Sequence, residues 1–282
     1  MNPKKLLSLA LALTMGLSLT ACGGGKAPSA SPSEAAGSAA PAESAAGSSD
    51  LAYVKDKGVL VVGITEFEPM DYQDKNGSWI GFDADMARAF AGSLGVECQF
   101  QVIDWDNKVL ELDGKNIDVV WNGMTLTDEV TSAMACSNAY CNNAQVVIVP
   151  SARAADYQSV DSVKDLAFAV EAGSAGKAEV EALGASYTEV QDQATALLEV
   201  SSGTADAAVI DSLMAAAMVG AGTSYADLTY TVGLNSEEYG VGFRKGSDLA
   251  AALNEFFQTA YADGSMTACA ETYGIQAALI AQ

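Results

Sequence analysis

Asp211 stands at the end of a short apolar run, and Ser174 follows Gly173 where a helical pattern opens. Both are places where a chain end leaves a side chain free to meet a ligand. A carboxylate in the first position can bind a cation, cap the next helix or, with a raised pKa, act as acid or base; Glu66 is a second such carboxylate. In the second position the Ser174 hydroxyl and the Ala175 amide make a ready anion site at a helix start. The chain has no histidine. That excludes Ser-His-Asp and Cys-His nucleophiles, an imidazole base and histidine-bound zinc. Cys98, Cys136, Cys141 and Cys269 form no C-x-x-C pair, so a zinc site is not expected; disulfides and buried free thiols stand as equal alternatives. Fourteen Lys and Arg face 36 Asp and Glu, a formal net charge of −22. Binding of DNA, RNA or an anionic membrane through a basic patch is thereby excluded, since counterion release needs clustered cations. The acidity suits a cationic ligand or, more simply, solubility outside the cell.

The elements that must hold these residues alternate. Gly58–Gly63 is a short β-branched run between glycines and predicts a buried strand. Phe82–Leu94 carries apolar residues at helical spacing and stops at Gly95, a good C-cap. Val96, Cys98, Phe100 and Val102 alternate, predicting a strand with one apolar face. A helix over 105–112, a strand over 117–121 and a strand over 145–149 ended by Pro150 follow. A second series has strands over 166–170 and 207–210 and helices from Ser174, over 193–201 and over 212–219. A strand over 239–243 and helices over 249–261 and 266–273 close the chain. Strands alternating with helices imply mostly parallel sheets with ligands at the strand C-termini. The 282 residues allow one large or two modest domains. No sequence repeat is evident.

The N-terminus reads as an address. Lys4 and Lys5 precede an apolar run over 6–19, shorter than the about 20 residues a bilayer-spanning helix needs. Leu19-Thr20-Ala21-Cys22 resembles the bacterial lipobox, which implies cleavage after residue 21 and a diacylglycerol on Cys22. Residues 22–50 are then a Gly/Ala/Ser/Pro tether with too little to bury to order itself, reaching on the order of 30 Å.

Gly63, Pro69-Met70, Gly77 and Gly81-Phe82-Asp83-Ala84-Asp85 resemble the start of the family 3 extracellular solute-binding proteins, the polar amino-acid receptors of ABC importers. Asp104-Trp105-Asp106, Ile117-Asp118-Val119, Gly123-Met124-Thr125-Leu126-Thr127, Ser137 to Tyr140, Gly173-Ser174, Asp206 to Asp211 and Gly242 to Gly246 continue in family order across residues 55–275. The resemblance implies an α/β type II periplasmic-binding-protein fold: two Rossmann-like lobes joined by a two-crossing hinge. Lobe 1 is expected over 51–148 and 238–282, lobe 2 over 149–237. It further implies a small, polar, amine-bearing ligand held between the lobes, ABC permease subunits as partners and a monomer that meets the membrane only through its lipid, on the outer face of the cytoplasmic membrane.

Ligand contacts carry over by position. Phe67 and Trp105 are aromatic walls, with core packing as the alternative for each. Asn122, Gly123 and Thr125 belong to the loop that bonds the ligand's amino and carboxylate groups. Thr127 contacts the ligand or caps the helix from Asp128. Ser174 and Ala175 meet it from lobe 2, and Asp211 receives its ammonium or caps a helix. One position departs: where the family usually has a carboxylate-binding arginine, this chain has Val130. Its three arginines, Arg88, Arg153 and Arg244, fall in no ligand motif. A ligand whose carboxylate is masked or weakly held is therefore an open possibility. No cofactor or metal is expected. An enzyme of dehydratase or lyase type on the same scaffold, and a ligand-sensing subunit of a membrane signalling system, are the alternatives; no second catalytic group accompanies Asp211 or Glu66, so a non-enzymatic receptor is the reading.

Overall fold

The computed structural model describes residues 49–282; the expected signal peptide, Cys22 and the tether up to residue 48 lie outside them. In lobe 1, α1 (Asp50–Lys57) leads to β1 (Val59–Ile64), a hairpin of β2 (Tyr72–Gln73) and β3 (Trp79–Ile80), and α2 (Phe82–Leu94). Then come β4 (Glu97–Val102), a 3-10 turn at Trp105–Asn107 running into α3 (Lys108–Asp113), β5 (Val119–Thr125), α4 (Asp128–Ala133), β6 (Ala135–Cys136) and β7 (Cys141–Asn143). Lobe 2 holds β8 (Gln145–Pro150), α5 (Val160–Val163), β9 (Ala167–Glu171), α6 (Ala175–Leu183) and β10 (Ser186–Val190). It continues through α7 (Gln193–Ser202), β11 (Ala207–Asp211), α8 (Ser212–Met218) and β12 (Leu228–Gly233). The chain returns to lobe 1 as β13 (Glu237–Phe243), α9 (Leu249–Ala262) and α10 (Ser265–Thr272).

The first sheet has the order β4-β1-β5-β13-β6, with β7 also on β13; the second runs β10-β9-β11-β8-β12. Within each, three strands are parallel: β1 with β4 and β5, and β9 with β10 and β11. The expectation of mostly parallel sheets needs correcting for the rest. β13 runs antiparallel to β5, and β8 antiparallel to β11. These are the strands that enter straight from the other lobe. A parallel partner requires a crossover connection, which a direct crossing does not supply.

Sheet pairing also shifts the hinge. β7 belongs to the first sheet and β8, starting at Gln145, to the second. The chain therefore crosses at Ala144, not after residue 148, a position inside the paired strand. It returns between Gly233 and Glu237.

Each sheet is covered on both faces. Leu60, Val62 and Ile64 of β1 pack with Phe82, Met86 and Phe90 of α2, while Val61 faces Ile103, Trp105 and Leu112. The period of two in the strand thus divides one apolar run between two layers. In β8, Val146 and Ile148 face one cluster and Val147 and Val149 the other. Gly95 ends α2 in the left-handed conformation at φ 77°, its N–H donating to the carbonyls of Ala91 and Gly92. β4 departs from expectation at its end: Cys98 and Phe100 pack on the core, but Val102 is 55% exposed at the sheet edge.

Arg244 is buried inside lobe 1, donating to Asp50 at 2.9 Å, to Asp118 at 3.3 Å and to the Ile117 carbonyl at 2.8 Å. It ties the first helix to the loop before β5 and serves the fold. The four cysteines outside the N-terminal region are free thiols.

Candidate functional site

The two lobes face each other across a cleft of about 440 Å³. All nine ligand positions expected from the sequence line it: Phe67, Trp105, Asn122, Gly123, Thr125, Thr127, Ser174, Ala175 and Asp211. Glu66 does not; it lines a smaller neighbouring recess.

On the lobe 1 side, the strand ends are stitched together first. Asn122, last but three in β5, accepts from the N–H of Thr65 at 2.8 Å and from its hydroxyl at 2.7 Å. Its amide donates both hydrogens, to the Thr65 carbonyl at 3.2 Å and to Asp71 at 2.8 Å. The side chain therefore holds β1 against β5 and has no hydrogen left for a ligand. Gly123 has φ 55°, and a Cβ there would lie 2.4 Å from the Phe67 ring. Its N–H donates to Asp83 at 2.7 Å, and Asp83 also accepts the Tyr140 hydroxyl at 2.7 Å. The G-F-D motif thus works from beneath, holding the Gly123 turn from a buried carboxyl that burial raises to about 7.

Phe67 and Trp105 are buried in the core and also border the cleft. Phe67 is buried, edge-on to Tyr239 with centroids 6.3 Å apart, and still borders the cleft. Trp105 is buried beneath Lys108, whose Nζ sits 4.8 Å from the ring centroid. The Thr127 hydroxyl accepts the Val130 N–H at 3.1 Å, which makes it the N-cap of α4. Thr125 donates to Glu237 at 2.8 Å, next to the return crossing.

On the lobe 2 side, Ser174 caps α6, accepting the Lys177 N–H at 3.1 Å. Gly173 has φ 68°, and a Cβ on it would lie 2.6 Å from Asp106 Oδ1 and 2.8 Å from Asp106 Cα. The lobes approach here as only glycine permits. Beside it Lys108 Nζ donates to the carbonyls of Trp105 and Gly173, both at 3.1 Å, one on each lobe.

Asp211 is held differently from a capping residue: its side chain makes no hydrogen bond to α8. It is buried at the cleft floor, where Oδ1 accepts from Tyr239 at 2.7 Å, from Gln145 at 3.0 Å and from Asn143, and Oδ2 from Gln193. Burial, then the field of Glu237, pushes its carboxyl up to about 7 against those donors.

Sequence reasoning missed Glu171, Lys108, Asp106 and Gln193, which also line the cleft. Glu171 had a signal: it ends β9 as Asp211 ends β11, a charged residue at the C-terminus of a parallel strand. Its carboxyl is pushed up to about 8 by burial and by Asp211 and Asp192, while burial lowers the Lys108 ammonium. Val130 packs with Met124 and Met134 at the edge of the cleft. No arginine reaches it: Arg88 pairs with Asp85, Arg153 with Asp156, and Arg244 is buried in lobe 1. Lys108 and Lys177 are the lining cations, against Asp106, Asp128, Glu129, Glu171, Glu181 and Asp211. Among the described residues no group of three or more His, Cys, Asp or Glu side chains is placed to hold a metal ion.

The model of bacterial extracellular solute-binding proteins, family 3, matches residues 60–276. The L-cystine-binding protein TcyJ of Escherichia coli (strain K12) is 28% identical over 235 residues, 78% of this chain and 84% of that protein. A solved ABC uptake transporter substrate binding protein from Streptococcus pneumoniae, with bound histidine, superposes with a TM-score of 0.73 at 29% identity, covering 82% of this chain and 98% of that one. A cyclohexadienyl dehydratase of Pseudomonas aeruginosa is 26% identical over 116 residues, only 41% of this chain and 43% of that enzyme.

Proposed function

The chain belongs to the bacterial extracellular solute-binding proteins of family 3, and from that premise we propose that it is the receptor of an ABC importer for a small amine-bearing solute, an amino acid or a close analogue. The observation that carries this reading is the single cleft shared by nine positions from both lobes, with Asp211 at its floor. Asp211 receives the ligand's ammonium. Three donors crowd its Oδ1, but Oδ2 accepts only from Gln193 and keeps acceptor capacity. Phe67 and Trp105 cover the ligand's carbon stem. The Ser174 hydroxyl and the amide of Ala175 meet its anionic or polar end at the start of α6. A ligand touching both lobes favours the form in which Lys108 already spans them, and that closed form docks on the permease subunits.

Residues 1–21 direct export, Cys22 carries the lipid, and residues 22–50 let a monomer stand off the outer face of the cytoplasmic membrane. Metabolic labelling with a fatty-acid analogue tests this part: label and membrane retention should vanish in Cys22→Ser, and retention without label overturns it. For the ligand, a thermal-shift screen of the amino acids, polyamines and short peptides, followed by calorimetry, is decisive. An upward shift with at least one free amine is expected; a response only to anionic or uncharged solutes overturns the reading.

A further inference from the structure

Glu171 is a buried acid for which the fold supplies almost nothing. It is 3% exposed, yet its Oε1 has no hydrogen-bond partner. Its Oε2 receives a single long bond of 3.5 Å from Gln193 Nε2. Among the described residues it is the cleft-lining carboxylate left with a fully buried, unpartnered oxygen. Lys108 does not supply the missing partner. Its ammonium is directed at the carbonyls of Trp105 and Gly173 and makes no ion pair with Glu171 among the described residues. A buried carboxyl oxygen without a partner costs free energy, and such a group in a cleft points to what the cleft is built to receive.

Its position identifies the partner. β9 and β11 are parallel neighbours, with Phe168 opposite Ala207 and Ala169 opposite Ala208, so Glu171 and Asp211 end adjacent strands. Gln193 Nε2 touches both carboxyl groups. The second lobe thus presents two acids side by side at its strand ends, while the facing wall offers Met124, Asp128, Glu129 and Val130 and no arginine. Resting on the receptor reading above, we propose that Glu171 is a specificity-determining acceptor for a second cationic nitrogen of the ligand, so that the cleft selects short dications over amines that carry one positive charge. A basic amino acid and a diamine share this chemistry; they differ only in the carboxylate that Val130 leaves without a guanidinium.

Calorimetry with two isosteric pairs tests this at pH 8: L-ornithine against L-norleucine, and 1,4-diaminobutane against pentylamine. In the wild-type protein the member with two nitrogens should bind about 30-fold or more tighter than its partner, within the range for truncating one side of a buried charge pair. Glu171→Gln, which keeps the shape and mimics a neutral acid, should bring both ratios to within about threefold of unity, and Glu171→Asp should restore part of them. Far-UV circular dichroism and the urea midpoint establish that each variant folds. Ratios near unity in the wild type, or ratios that survive Glu171→Gln, overturn the proposal while the receptor reading stands. Failure of all four ligands to bind the wild type overturns the proposal, while the receptor reading is decided by the thermal-shift screen. Tighter binding of ornithine than of diaminobutane assigns the source to a basic amino acid, and the reverse to a diamine; either order supports the role of Glu171.

Discussion

On the lobe 1 side of the cleft, Phe67, Trp105, Met124 and Val130 line the space beside Asp106, Lys108, Asp128 and Glu129, and the polar groups at the ends of β1 and β5 are already paired. Asn122 is bonded through all its amide hydrogens and Gly123 N–H is taken by Asp83. On the lobe 2 side the acids at the strand ends keep unfilled capacity: Glu171 Oε1 is buried without a partner, and Asp211 stays buried at a raised pKa despite its donors. The two sides grow from the same construction, parallel strands whose C-termini point at the cleft. The difference lies at the strand ends: those of lobe 1 are spent on holding the fold, and those of lobe 2 keep acid groups at the cleft.

The most severe way to break that division is to remove the charge that the ligand needs. Asp211→Asn should weaken binding of any amine ligand by about 100-fold, since the truncated partner leaves a buried cation unmatched. Calorimetry reads this directly; a loss under threefold would move the ammonium site elsewhere.

Next in size is the contact at which the two lobes meet. Gly173→Ala forces a Cβ against the Asp106 backbone and strains a residue at φ 68°. It should cost about tenfold or more in affinity by holding the lobes apart. Small-angle scattering with saturating ligand should show the variant's radius of gyration above that of the wild type. Equal radii would mean that closure does not pass through this contact.

A subtler effect comes from proton linkage in lobe 2. The Glu171 carboxyl rises from 4.5 to about 8 and that of Asp211 from 3.8 to about 7 on folding. Between the unfolded and folded values the folded chain holds protons that the unfolded chain has released. Their contribution to stability is therefore full below pH 4 and is lost as the pH climbs to about 8. The ligand-free protein should melt at progressively lower temperature from pH 5 to 8, and Glu171→Gln should flatten that slope by scanning calorimetry. Lys108, Asp192 and Asp211 face Glu171, and the change in slope includes the loss of its field on Lys108; an identical slope would place the proton elsewhere.

The smallest expected change is a gain. Val130→Arg puts a guanidinium on the lobe 1 side, where a charge-assisted pair with a carboxylate should favour L-amino acids over the matching amines by about tenfold. Titrating the ornithine and diaminobutane pair against this variant checks it. No gain for ornithine would show that a carboxylate does not come near residue 130.

The central strands and the longer helices were legible because each buries a face whose apolar pattern spans at least five residues. β2, β3, β6 and β7, of two or three residues each, carry no period at all. β10 and β12 lie at a sheet edge with mixed exposure, so their alternation is weak. The lobe boundary near residue 148 came with the family resemblance, while the apolar run of β8 marks a strand but not the sheet it joins. For the site, motif order was enough to bring nine residues to one cleft. What each does there depends on partners distant in sequence. Asp211 is bonded by Asn143 and Gln145 of the first crossing, by Gln193 and by Tyr239, from three other stretches of chain.

By itself the amino-acid sequence determined that this chain lacks imidazole chemistry, alternates strands and helices, and has no arginine where its family grips a carboxylate. Those are local properties, set by residue type and by spacing along one segment. Only the tertiary structure decided that Asn122 and Thr127 are occupied in holding the fold, that Lys108 joins the two lobes, and that Glu171 is left buried and unpaired beside Asp211. Burial and partnership are sums over neighbours from the whole chain, and for a carboxylate those sums decide whether it is held as structure or left to bind.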